Sequence, residues 1–194
     1  MQAQVARYSS VLAKGSNFTG TIRSLERRKG NSATQAFLAE APARLRDAVR
    51  FGEIVVGGWY PVQWYAELHA AIRRSLRVTH DFARILARDT IIADFSTLHR
   101  PMVGMRPAET LLAQADRLMK LYWKGGTLES HVLHAGAARV RFAGWHGFDR
   151  GVWEDIAGSA EGILQMCRAQ EFQVHATRGG RDGDSHLELE LRWS

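Results

Sequence analysis

Metal chemistry in this chain of 194 residues would depend on a few histidines in its last third. His131 and His134 are three positions apart, and His146 is the nearest third ligand for a zinc ion. On a helix the first two would share a face. The surrounding pattern instead predicts a strand, where residues three apart point to opposite faces. We therefore expect no metal site and no bound cofactor.

Catalytic patterns are equally scarce. Cys167 follows Leu164 and Met166 in an apolar helical segment, which predicts a thiol packed in the core. A reactive or modified thiol would need an electropositive, accessible setting, and the neighbouring Arg168 leaves that alternative open.

Residues 179–184 have acidic residues at alternating positions, as calcium-binding loops do. The glutamate that closes such a loop is missing, so we predict a hairpin turn. Phosphate-binding glycine loops and serine nucleophile elbows are absent from the sequence, so we expect no enzyme.

The densest aromatic group supplies the candidate binding residues. Tryptophan and tyrosine combine a large apolar ring with one polar group, so they pack cores and also line ligand pockets and interfaces. Core packing is the alternative for each of them. The candidates for a ligand pocket or an interface are Trp59, Tyr60, Trp64, Tyr65 and Trp153.

Positive charge is concentrated in the first quarter of the chain. Residues 1–50 hold nine basic and three acidic residues, whereas the remainder holds 17 of each. Such a cluster attracts nucleic acid, anionic lipid or an acidic protein face. It is also what a solvated helix end looks like, where the helix dipole favours cations. Because no aromatic residues interleave with these charges, we expect at most non-specific nucleic-acid binding. The candidate anion surface comprises Arg23, Arg27, Arg28 and Lys29.

Composition narrows the class of protein. A hydrophobic content of 45% and a charged content of 24% are ordinary for a globular domain. No apolar run approaches the ~20 residues that span a bilayer, and the first residues lack an apolar signal segment. A single cysteine excludes an internal disulfide. We therefore expect a cytoplasmic protein.

Hydrophobic periodicity predicts how the chain is organised. Residues 1–16 are expected to form an N-terminal arm, either a strand or a disordered segment, and residues 17–194 a single α+β domain. Up to Gly125 the apolar positions repeat at helical spacing, with a continuous helix expected from Pro107 to Gly125. Beyond it the period becomes 2, which predicts a strand pair, a helix from Asp149 to about Gln170, and a second strand pair.

The pattern of the last predicted strand indicates how the helices pack on the sheet. Leu187, Leu189 and Leu191 alternate with Glu188 and Glu190. This alternation indicates a sheet that is wet on one face and covered on the other. The fold class expected is a helical layer packed on one face of a twisted antiparallel sheet, with a C-terminal ββαββ unit.

Three segments carry a family resemblance. They are Lys14-Gly15-Ser16-Asn17-Phe18, Gly58-Trp59-Tyr60-Pro61-Val62-Gln63-Trp64-Tyr65, and the terminal unit with Trp153 to Gly158, Glu161-Gly162 and Gly183-Asp184 through Trp193. The chain resembles a myxobacterial paralogous family of unknown function. That family is similar to the ligand-binding superfamily of haem-NO-binding, four-vinyl-reductase and TRAPP-subunit proteins. The resemblance implies an α+β fold, often with an apolar pocket between helices and sheet.

The same resemblance bears on function. Its relatives bind haem, hydrocarbons or acyl chains, or serve as assembly subunits. The haem branch uses a helix histidine and a Tyr-x-Ser-x-Arg clamp, which Tyr8-Ser9-Ser10-Val11-Leu12 does not match, and His69 and His80 lack the context of such a ligand. The acylated cysteine of the TRAPP branch lies on an early helix, unlike Cys167. Neither haem binding nor acylation therefore carries over.

We expect a non-catalytic sensory or scaffold protein that binds a small apolar ligand or a partner protein, as a dimer. Two alternatives stay open at this point. One is a structural interaction module without a ligand. The other is a nucleic-acid-associated regulator that uses the basic first quarter.

Overall fold

The structure, a computed structural model, describes residues 11–97, 107–167 and 169–194, with the side chains of residues 96 and 97 left out. Helices and strands alternate irregularly before the terminal unit. The helices are α1 (Gly15–Lys29), α2 (Asn31–Glu40), α3 (Ala43–Arg50), α4 (Val62–Leu76), α5 (Asp81–Thr97), α6 (Ala108–Leu112), α7 (Ala115–Tyr122) and α8 (Arg150–Met166). The strands are β1 (Leu12–Lys14), β2 (Trp59–Pro61), β3 (Trp123–Lys124), β4 (Thr127–His134), β5 (Ala137–Ala143), β6 (Phe172–Gly179) and β7 (His186–Trp193). Among the described residues, no helix combines the length and apolar character needed to cross a membrane.

The terminal unit confirms the predicted ββαββ arrangement. Its four strands form an antiparallel sheet in the order β4-β5-β7-β6, and α8 connects the two hairpins. Leu187, Leu189 and Leu191 are 2% exposed or less and face the helices. On the other face, Arg141 and Glu188 form an ion pair of 3.3 Å across β5 and β7. The alternation therefore separates a covered face from a wet one, as expected.

Two glycines allow α8 to pack closely against α5. A Cβ atom on Gly158 would lie 2.0 Å from the carbonyl oxygen of Arg84, and one on Gly162 would lie 3.0 Å from that of Arg88. Arg84 then ties both layers together, since its guanidinium donates to Glu161 at 2.8 Å and to the β6 carbonyl of Val174 at 2.6 Å. Gly158, Glu161 and Gly162 are thus the residues through which α8 contacts α5.

The first strand lies within the expected N-terminal arm. Residues 11–16 lie in the folded domain, whereas residues 1–10 of the expected arm lie outside the described residues. β1 is the central strand of a three-stranded antiparallel sheet, between β2 and β3. Val11 and Ala13 are fully buried there. Three residues are too few for an alternating pattern to reveal such a strand.

The continuous helix expected from Pro107 to Gly125 is two helices, which corrects that prediction. α6 ends at Leu112, α7 begins at Ala115, and the helical path stops at Tyr122. Trp123 is extended because it pairs with Ala13 of β1. Pairing across more than a hundred positions overrides the local helical pattern.

Candidate ligand cavity

A cavity of about 100 Å³ lies between the terminal sheet and the helices that cover it. Helices α5 to α8 and strands of both sheets supply most of its wall. The apolar lining residues are Ile91 and Phe95 of α5, Leu112 of α6, Ala115, Leu118 and Met119 of α7, Trp123 of β3, Ile156, Ala160 and Ile163 of α8, and Leu128, Val140, Phe142, Leu189 and Leu191 of the terminal sheet. The volume is of the order of the ~150 Å³ apolar cavity that accommodates benzene or xenon in another protein.

Polar side chains are few in this wall, and two of them come from α8. Asp155 and Ser159 are one helical turn apart and therefore share a face. Asn17 of α1 lies in the same wall, and its side-chain amide donates to the carbonyl oxygen of Tyr122 at 3.1 Å. Asp155 is only 5% exposed. An acidic side chain at this depth is rare unless it is hydrogen-bonded.

A buried network supplies that hydrogen bond. The Tyr65 hydroxyl donates to Oδ2 of Asp155 at 2.8 Å and lies 2.7 Å from Oγ1 of Thr21. Nε2 of His69 is 3.4 Å from the same carboxyl oxygen but lacks hydrogen-bonding geometry. Burial, followed by the charge of Asp155, raises the pKa of Tyr65 well above its ordinary value. Tyr65 therefore stays a protonated donor.

Tyr122 is the remaining polar member of the wall. Its hydroxyl is buried and has no hydrogen-bond partner among the described residues. Burial, followed by the charge of Asp94, raises the pKa of Tyr122 above its ordinary value. The group is therefore a neutral hydroxyl, and a ligand can satisfy it.

The structure separates the five aromatic candidates. Trp59 lies under two lysines, with Nζ of Lys124 4.3 Å and Nζ of Lys14 5.8 Å from its ring centre. Tyr60 stacks on Trp64 at 6.0 Å. These three rings are half-buried and lie outside the cavity wall.

The other two aromatic candidates are core residues. Tyr65 is 1% exposed and Trp153 is 2% exposed. The Trp153 ring packs against Phe148 at 4.6 Å and Phe142 at 6.1 Å. Neither ring lines the cavity, although Tyr65 reaches its wall through Asp155.

Half of the basic group is engaged in packing α1 against α5. The Arg28 guanidinium forms a two-pronged ion pair with Asp89, one contact of which measures 2.8 Å. Nζ of Lys29 lies 5.9 Å from the centre of the Phe82 ring. Arg23 and Arg27 are exposed. All four members of the proposed anion surface are therefore exposed, and two of them, Arg28 and Lys29, also contact α5.

The prediction that His131 and His134 point to opposite faces of a strand needs a correction. A bulge between Val132 and His134 shifts the register, so His131 faces Arg139 and His134 faces Ala137. These partners are two positions apart on β5, so strand alternation no longer puts the two histidines on opposite faces. The described residues contain no group of three or more His, Cys, Asp or Glu arranged to hold a metal ion.

Comparison with solved structures gives the fold class, which is that of H-NOX domains. An unliganded Fe(II) H-NOX protein from K. algicida matches with a TM-score of 0.69 and 12% identity, over 93% of this chain and 96% of that one. An oxygen-binding H-NOX domain related to soluble guanylate cyclases gives 0.65 and 16%, over 93% and 95%. A variant of Tt H-NOX gives 0.68 and 16%, over 93% and 95%. No family model and no curated protein matches the chain. At these identities the likeness shows the fold, and it confirms the predicted helical layer on a sheet.

The residues of this cavity do not fit haem. About 100 Å³ is well below the ~300–1,000 Å³ of pockets for drug-sized ligands. Histidine and cysteine are absent from the described lining.

The family resemblance implied an apolar pocket between helices and sheet, but the sequence did not identify which residues line it. Leu112, Leu118, Met119 and Tyr122 belong to the apolar face expected for the helix after Pro107. Periodicity identifies such a face but not whether its opposite wall fills it. Asp155 could have been found from the sequence, because an acidic residue between Trp153 and Ile156 interrupts the core-facing side of α8.

Proposed function

We propose that this protein is a non-catalytic sensory domain that binds a small apolar molecule in the cavity between α5, α7, α8 and the sheet. The observation that carries the proposal is an apolar cavity of about 100 Å³ in which a buried hydroxyl, that of Tyr122, has no partner among the described residues. Native cores are close-packed, so a space of this size is a candidate binding site.

The solved relatives support the proposal at the level of the fold. The protein from K. algicida is described as an unliganded Fe(II) state, and another neighbour as an oxygen complex. The ligand proposed here is smaller than haem and occupies the cavity directly. A homodimer, a partner protein and membership of the myxobacterial family stay predictions from the sequence.

Methyl NMR tests the proposal with cyclopentane as the probe. We expect saturable shifts of Ile156, Ile163 and Leu189, whose methyl-bearing side chains line the cavity. Added haemin should remain unbound, without a stoichiometric Soret band. Absence of cyclopentane shifts at saturation would contradict the proposal.

A filled cavity is the matched control. Ala160 lines the cavity, so Ala160→Leu should abolish the shifts. Gln165 is exposed on the same helix, so Gln165→Leu adds the same side chain outside the site and should preserve them. Equal binding by both variants would place the probe elsewhere.

A further inference from the structure

The polar residues of the cavity wall define the chemistry of its ligand more narrowly. We propose, resting on the proposed function, that the cavity selects a small apolar molecule carrying one hydrogen-bond donor, an O–H or N–H group, which Asp155 accepts. The inference starts from a carboxyl group that is 5% exposed and lies in a mostly apolar wall.

One oxygen of Asp155 is already occupied. Oδ2 accepts from Tyr65 at 2.8 Å and is the oxygen that His69 approaches at 3.4 Å. No hydrogen bond to Oδ1 is found among the described residues. Because Asp155 lines the cavity, a ligand donor that reaches this oxygen forms a hydrogen bond and gains binding free energy.

The same wall explains why the ligand must otherwise be apolar. Beyond Asn17, Asp155, Ser159 and Tyr122, its side chains are aliphatic or aromatic. Tyr65 cannot move away to pair with a different group, because its hydroxyl also lies 2.7 Å from Thr21 and its ring is 1% exposed. Asp155 is therefore held in a fixed orientation before a ligand arrives, which lowers the entropic cost of recognition.

Three five-membered rings of similar size test whether the ligand needs a hydrogen-bond donor. Pyrrole has an N–H donor, furan is nearly isosteric without one, and cyclopentane has no polar atom. Calorimetry or NMR titration of the whole chain should show pyrrole binding about tenfold more tightly than furan, the effect of one hydrogen bond to a carboxyl group. Equal affinities of the three rings would overturn this inference and leave the proposed function standing. If none of them binds, both are wrong.

Substitution assigns the effect to Asp155. In Asp155→Asn the pyrrole-to-furan ratio should fall to about one to threefold, because one acceptor oxygen becomes a donor. Glu154 is the matched control, since it is adjacent on α8, pairs with Arg84 at 3.6 Å and lies outside the cavity wall. Glu154→Gln should keep the tenfold ratio, and an unchanged ratio in Asp155→Asn would overturn the assignment. The wild-type ratio still tests the requirement for a donor even if Asp155→Asn fails to fold.

Discussion

The Tyr65 hydroxyl joins three helices at one buried point. It links Thr21 of α1 to Asp155 of α8 and belongs to α4 itself. Removing it leaves two buried polar groups short of a partner, which costs more than the net value of the bonds. This network therefore contributes to stability and also fixes the polar part of the cavity wall.

Tyr65→Phe should lower the free energy of unfolding by about 1–3 kcal/mol in urea denaturation. The matched control is Tyr60→Phe, because the Tyr60 hydroxyl bonds Glu53 and Val55 at an exposed position where water can replace it. Its loss should be below about 1 kcal/mol. Similar losses in the two variants would show that the buried network has no special role.

Cys167 should be an unreactive thiol at neutral pH. Burial, followed by the charge of Glu109, raises the pKa of Cys167 to about 11. Since the thiolate is the nucleophile, native alkylation by iodoacetamide at pH 8 should be at least about tenfold slower than in urea-unfolded protein. Equal rates in the two states would contradict the assignment.

The same pKa gives a dependence of stability on pH. A pKa that is higher in the folded than in the unfolded state favours folding while the thiol is protonated. The contribution of Cys167 is therefore complete below pH 9.0, its ordinary pKa, and is lost as the pH rises to about 11. Alkaline urea titrations should show this loss, and Cys167→Ser should remove that part of the slope.

At the scale of elements, the α5–α8 contact depends on the absence of side chains. Gly158→Ala would favour helix formation by about 1 kcal/mol if propensity decided the outcome. The new Cβ would lie 2.0 Å from the Arg84 carbonyl oxygen, so the two helices must separate. We expect a net loss of at least about 2 kcal/mol of unfolding free energy.

Gly57→Ala is the control for that substitution. Nothing lies within 4 Å of the Cβ that it would add, so stability should stay within about 0.5 kcal/mol of wild type. Chemical denaturation of both variants makes the comparison. A Gly158→Ala protein as stable as wild type would show that the helices are not packed as described.

Elements with a strong local pattern could be predicted from the sequence. The strand expected at residues 186–193 matches β7, and Asp149 caps α8 by accepting from the Val152 amide at 2.9 Å. The sequence left open whether residues 1–16 form a strand and missed the break between α6 and α7, because pairing with distant strands decides both. Local periodicity carries no information about such partners.

At the scale of the whole molecule, the sequence indicated the layers, and the family resemblance implied a pocket between them, but neither identified the residues of its wall. The aromatic candidates Trp59, Tyr60 and Trp64 lie outside the cavity wall, and Trp153 is core. A cavity arises where apolar faces of α5, α7 and α8 meet the sheet without filling the volume. That mismatch is a property of packing in three dimensions, and no single residue type marks it.

Xenon tests the central claim most directly, because it binds apolar cavities of this size without needing a polar partner. Crystals of the protein pressurised with xenon should show an anomalous peak among Phe95, Ile156 and Leu191, three residues of the lining. The Ala160→Leu protein should lose that peak. Continuous protein density in the wild-type cavity, or xenon bound only elsewhere, would contradict the account.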